Sequence, residues 1–160
     1  MPAMKTQPRA RKLLWILGAA LGLAGVGPAA PAAGSPRVIA LTGDDTMHYN
    51  LTEIDARPGE ALEVQLTNIG QLPKAAMSHN WVLLRPMSDA DVSAFAISAM
   101  SKAPDYLPDD RSAVLAHTRT LGPKETDSVD FTAPTTPGTY PFLCTFPGHF
   151  ALMKGRLVVK

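Results

Sequence analysis

Cys144, His149 and Met153 fall within one twelve-residue stretch, Cys144-Thr-Phe-Pro-Gly-His-Phe-Ala-Leu-Met-Lys-Gly155. His79 lies upstream, in Met77-Ser-His-Asn-Trp-Val82. A thiolate, two imidazoles and a thioether together make the donor set of a blue copper electron-transfer site. Cys144 is the only cysteine in the chain, so no disulfide within the chain competes for its sulfur. A free thiol titrates at about 8.5 and must lose its proton to bind metal, so copper at Cys144 implies a thiolate at neutral pH. Each residue alone has a plainer reading. A buried cysteine is usually a small core residue, a single histidine is usually a satisfied polar group, and methionine fills gaps. The spacing Cys-x4-His-x3-Met, with Pro147-Gly148 before the histidine, is far more specific than any one member. Zinc is the competing metal, but structural zinc sites usually carry more Cys and His, and methionine suits them poorly.

Those donors need elements to hold them. Cys144 ends a strand-like run, Pro147-Gly148 forces a turn that returns His149 toward it, and Met153 opens the next run. His79, from a distant run, ties the loop to the rest of the fold. Asn80 can link the two ligand-bearing segments by hydrogen bonds, and Thr145 is a plausible partner for it. Backbone N–H groups near the Cys144 sulfur would spread its charge and raise the reduction potential. The Ser78 carbonyl can face the metal opposite Met153 as a weak axial oxygen. Met47, Leu72, Ala76, Met77, Phe146, Pro147 and Phe150 form a candidate apolar patch around His149, which is expected to reach the surface as the electron port.

Short strand-like runs recur at 37–42, 46–50, 61–68, 80–84, 113–118, 128–132, 139–144 and 155–159. Alternation is clearest where Leu62, Val64 and Leu66 share a face. Turn signals at Gly43-Asp-Asp, Arg57-Pro-Gly, Leu121-Gly-Pro and Thr135-Thr-Pro-Gly138 punctuate the runs. This pattern predicts an all-β sandwich or barrel. One stretch differs: Ser88 with Asp91 resembles a capping box before a helically spaced run over 92–100. The expectation is a single short helix on a flap between two strands, ended before Pro104.

Lys5, Arg9, Arg11 and Lys12 precede an uncharged, mostly apolar run over 13–26, and Ala30-Pro-Ala32 fits a signal cleavage site. Residues 1–32 thus read as a secretory signal peptide of the general route, and 33–160 as one domain. The apolar run is short for a membrane span of roughly 20 residues. Stable membrane insertion after cleavage is therefore not expected. Removing the leader leaves eleven basic against fourteen acidic residues, a net charge of −3. Mildly acidic and with no basic run, the chain is not expected to bind nucleic acid. A single cysteine in an exported protein is paired between chains, reactive, or occupied by something such as a metal.

Met77-Ser-His-Asn-Trp-Val-Leu83 and Tyr140-Pro-Phe-Leu-Cys-Thr-Phe-Pro-Gly-His-Phe-Ala-Leu-Met-Lys-Gly155 resemble the azurins, a group of cupredoxins. The likeness continues through Gly43-Asp-Asp-Thr-Met-His-Tyr-Asn50, Leu72-Pro-Lys74, Asp105-Tyr-Leu107, Val114-Leu-Ala-His-Thr118 and Lys124-Glu-Thr-Asp-Ser-Val129. The auracyanins share the ligand pattern. The resemblance implies a Greek-key β-sandwich, one type 1 copper ion and periplasmic electron shuttling. It implies His79, Cys144 and His149 as strong ligands, with Met153 and the Ser78 carbonyl as long axial ones. The sequence departs from that pattern in four places. The disulfide near the azurin N-terminus has no cysteines here, and Ser78 stands where azurins usually carry glycine. Asn68 replaces a histidine that titrates in some of them, and Phe150 replaces a small polar residue.

The function this implies is one-electron transfer with redox proteins such as cytochromes or copper or haem reductases, by a monomer in the periplasm. An enzyme is the second class. Copper oxidases and nitrite reductases need further His-rich copper sites, whereas only His48 and His117 remain here beside the ligands. Copper delivery is the third. Carriers favour open Met/His-rich sites, and the methionines outside the leader form no tract.

Overall fold

The computed structural model describes residues 34–160, so the expected leader, its apolar run and the cleavage site lie outside the described residues. The elements are β1 (Arg37–Gly43), β2 (Glu53–Ala56), β3 (Ala61–Asn68), β4 (Val82–Leu84), α1 (Asp89–Ala99), β5 (Val114–His117), β6 (Thr126–Thr132), β7 (Gly138–Leu143) and β8 (Lys154–Val159). They form an all-β sandwich with one helix. One sheet runs β1-β3-β6 and the other β2-β8-β7-β4-β5. Pairing is antiparallel except for β1 with β3 and β2 with β8.

Strand periodicity explains what is buried. In β3, Leu62, Val64 and Leu66 all point inward and are fully covered. Burying side chains of this size contributes roughly 1.5–3 kcal/mol each. Across the sandwich they meet Ile54, Tyr140, Phe142 and Leu157, with Trp81 between Phe131 and Phe142 at ring separations of 5.7 and 5.8 Å. β4 breaks the alternation because its sheet is covered on both sides. Leu83 joins the sandwich core, while Val82 and Leu84 join a second cluster beneath α1 with Val92, Ala96, Leu107 and Leu143. The Ser88 hydroxyl accepts the Asp91 N–H at 3.2 Å and donates to the Asp91 carboxylate at 2.7 Å, which starts α1 three residues earlier than the spacing predicts.

Two expectations need correcting. Residues 46–50 are not a strand. Asp44 accepts the Thr46 N–H at 2.9 Å, Met47 takes a left-handed φ of 59°, and only Tyr49 bridges back to Gly43. β2 was not anticipated: its four residues Glu-Ile-Asp-Ala carry one large apolar side chain, too little pattern to read. Among the described residues no helix is long and apolar enough to cross a membrane.

The sheet order decides where chemistry can gather. Val82, Leu143 and Lys154 stand side by side across β4, β7 and β8. The chain just before β4, just after β7 and just before β8 therefore emerges at one end of one sheet. His79, Cys144 and Met153 occupy those three exits.

Candidate metal centre

Each donor is held by backbone pairing before any metal is considered. The His79 N–H donates to Leu121 O at 3.0 Å, and the Leu121 N–H returns to His79 O at 2.7 Å. The Cys144 N–H donates to Met153 O at 2.9 Å, which extends the β7–β8 ladder by one step and closes the ends of the loop. Gly148, at φ 84°, makes the left-handed turn that most residues resist. A single 3-10 turn, His149–Ala151, follows it, and the Met153 N–H donates to His149 O at 2.8 Å.

Side chains then converge. His79 Nδ1 lies 3.2 Å from His149 Nδ1, and Cys144 Sγ lies 3.6 Å from the same nitrogen. All three donor atoms fall within 4.8 Å of one another, and all three residues are buried. Burial pushes the Cys144 thiol up to about 12, although the Asn80 and Phe146 backbone N–H groups favour the thiolate. Burial pushes His149 down to about 4, aided by the neighbouring His79. His79 is also lowered, by burial first, with the Asp44 carbonyl partly opposing. Two neutral rings and a thiol thus face one point without a protein group that satisfies all three. His79 Nε2, on the other side of the ring, takes no part in this convergence. A cation at that point answers the convergence of lone pairs, and nitrogen with sulfur suits copper. These residues fit the metal.

Gly43, read from sequence only as part of a turn, shapes the site. A Cβ there would sit 2.5 Å from Met153 Cε and 3.0 Å from His79 Cδ2, so Met153 and His79 pack against the same bare backbone. Met153 is fully buried. Ser78 is buried as well, its hydroxyl donating to Lys74 O, and its backbone lies outside the left-handed region. Asn80 clamps the two ligand segments: Oδ1 accepts the Thr145 N–H at 2.9 Å and Nδ2 donates to Thr145 Oγ1 at 2.8 Å. Thr145 Oγ1 in turn donates to Tyr106 O at 2.5 Å, and Tyr49 OH donates to Asn80 O at 2.5 Å. Tyr49, Asp105 and Tyr106 were not singled out from sequence, because their contacts are made across the fold. Asn68 continues the inward face of β3. Its Nδ2 donates to Met77 O at 3.1 Å and Leu121 O at 3.2 Å, and its Oδ1 accepts the Gly70 N–H at 2.9 Å.

The apolar patch divides. Leu72, Ala76 and Pro147 are exposed, and Met47 and Met77 are half-buried. Phe146 is buried, its ring 4.8 Å from His149 and 5.0 Å from Tyr106. Phe150 turns the other way, onto the cluster beneath α1. His149 itself is only 2% exposed: it lies one residue behind exposed Gly148 rather than reaching the surface as a port.

Residues 37–160 match the family described as copper binding proteins, plastocyanin/azurin family. The chain belongs to this family. Azurin of Achromobacter denitrificans is 40% identical over 119 residues, which is 71% of this chain and 78% of that one. Auracyanin-A of Chloroflexus aurantiacus is 34% identical over 118 residues, 72% of this chain and 69% of that one. In three dimensions the chain is similar to the reduced auracyanin of Roseiflexus castenholzii, with a TM-score of 0.70 and 32% identity over 79% of this chain and 99% of that one. The fold is that of a cupredoxin, and the protein is a blue copper protein whose family role is electron transfer. His48 and His117, the remaining histidines, lie apart from the centre: their Nδ1 atoms bond to Thr46 O at 2.7 Å and Thr118 O at 3.1 Å.

Proposed function

We propose that this cupredoxin carries single electrons between redox proteins in the periplasm, and that it is not an enzyme. The observation that carries the reading is the meeting of Cys144 Sγ with two imidazole Nδ1 atoms inside a buried, prebuilt pocket. Copper bound there supplies one-electron Cu(I)/Cu(II) chemistry. Within that reading His79, Cys144 and His149 are the strong ligands, and Met153 and the Ser78 carbonyl are weaker ones. The chain's own residues supply rigidity. Asn80 and Thr145 hold the two ligand segments together, and the Asn80 and Phe146 N–H groups lean toward the sulfur. Burial keeps water from the donor atoms.

The docking face comprises Met47, Leu72, Ala76, Met77 and Pro147, backed by Phe146, with Phe150 on its far side. Lys74, within this surface, points its charge away to Glu125 at 2.9 Å. The Asp45 carboxylate beside it accepts the Gln71 and Leu72 N–H groups at 2.8 and 3.3 Å, and the face, with these charges engaged, suits brief apolar docking with cytochromes or copper or haem reductases by a monomer. Export to the periplasm rests on the basic start, the apolar run and Ala30-Pro-Ala32, with cleavage after Ala32 leaving the copper domain 33–160. Visible and electron-spin-resonance spectra of the copper-loaded protein test the site. An intense blue charge-transfer band that vanishes in Cys144→Ser is the expected result. A colourless loaded protein, or a band that survives the substitution, overturns the reading.

A further inference from the structure

Phe150 follows His149 directly in the 3-10 turn, after the Gly148 hinge. The hydrogen bonds around it are local. His149 N–H donates to Phe146 O at 3.0 Å, and the Leu152 and Met153 N–H groups donate to His149 O at 3.0 and 2.8 Å. Such bonds set the internal shape of the turn, and only its far end is tied to the sheet, where Met153 O accepts the Cys144 N–H at 2.9 Å. Ala151 and Leu152 are exposed and contribute no anchor. Phe150 does: its ring packs on the cluster formed by Val82, Leu84 and Leu143 of the sheet with Val92 and Ala96 of α1. With Met87 and Val92 it also lines a groove of about 540 Å³ between the start of α1 and the sheet, so one side of the ring stays open.

We infer that Phe150 is a positioning residue, which helps fix the orientation of His149 by anchoring its turn to the apolar cluster beneath the α1 flap. The inference rests on His149 being a copper ligand, as proposed above. Phe146 and Met153 hold the turn from the side of the donor atoms, and Phe150 is the one side chain of the turn that holds it from the opposite side. The helix reaches this ring through the cluster they share.

Amide hydrogen exchange in the copper-free protein reads the anchoring directly, with Phe150→Ala, Phe150→Leu and the helix-side Val92→Ala as variants. In Phe150→Ala the Leu152 and Met153 amides should exchange about tenfold faster, with Val64 in β3 unchanged, as local opening predicts. Val92→Ala should move the same two amides in the same direction, and Phe150→Leu should restore most of the protection. In the copper-loaded Phe150→Ala protein the copper hyperfine splitting should change. Unchanged exchange and splitting, or equal acceleration at Val64, overturns the inference even if the melting temperature falls. A wild-type protein without the blue band would sink the copper reading instead, while the exchange rates still decide the anchoring.

Discussion

In the copper-free protein, the imidazole of His149 is the group through which the fold makes stability depend on pH between neutrality and pH 4. Burial depresses it from 6.5 to about 4, and His79 moves in the same direction. Between those values the unfolded chain binds a proton that the folded chain refuses. Stability is therefore undiminished above about pH 6.5, falls as pH drops through the interval, and has lost the full contribution below about pH 4. The interval is worth about 3 kcal/mol for His149 alone. His149 is 2% exposed, so solvent screens little of it. Asp44, Glu60, Asp110 and Glu125 are each held below the usual carboxylate range by hydrogen bonds, so their losses begin only near pH 4.5 and continue below it. Urea unfolding followed by emission from Trp81, fully buried in the core, measures the effect. With a urea slope of about 1–3 kcal/mol per molar, the midpoint should fall by roughly 1–3 M on going from pH 7 toward pH 4. Copper competes with protons for the same atoms, so the loaded protein should hold its midpoint to lower pH. His149→Gln should lose most of the copper-free slope. A midpoint that stays constant from pH 7 to 4.5, or an equal slope in His149→Gln, refutes the reasoning.

Met153→Leu should keep the blue colour and raise the reduction potential, because a weak donor is lost; voltammetry showing a fall would place Met153 away from the metal. Gly43→Ala should cost about 1–3 kcal/mol through overpacking and alter the electron-spin-resonance signal, since the new methyl meets Met153 Cε at 2.5 Å and the His79 ring at 3.0 Å. Unchanged stability and spectrum would show that both side chains yield freely. Asn68 cannot titrate and is fully engaged by Met77, Leu121 and Gly70. The potential of the copper protein should accordingly vary little between pH 5 and 8, and a strong shift across that range would contradict this.

Local pattern carried the fold a long way. β3 stands where alternation puts it, because Leu62, Val64 and Leu66 repeat at the strand period and nothing interrupts them. The Ser88–Asp91 box announces α1, although the first turn, Asp89–Asp91, is too polar for spacing to reveal. What failed was pattern without length or with competing turn chemistry. β2 exists through its parallel pairing with β8, about a hundred residues away, a partner that four residues cannot advertise. Residues 46–50 look extended but obey the Asp44 carboxylate, which captures the Thr46 backbone and bends the chain.

The metal centre divides along the same line. Residue types close together in sequence, Cys144 to Met153, were legible because one loop carries them. Their meeting with His79 follows from β4, β7 and β8 being neighbours, which the sandwich pattern alone does not specify. Gly43 was illegible as a site residue, since its contribution is the side chain it lacks. Phe150 reads as a surface residue of the ligand loop, yet the 3-10 turn rotates it about the chain axis, away from His149 and onto the cluster beneath α1. Adjacent residues in such a turn point in different directions, so proximity in sequence to a ligand says little about which layer a side chain joins. The consequence is physical: the same loop that closes over the donor atoms is also bolted, through its one aromatic side chain past the histidine, to the far face of the sheet.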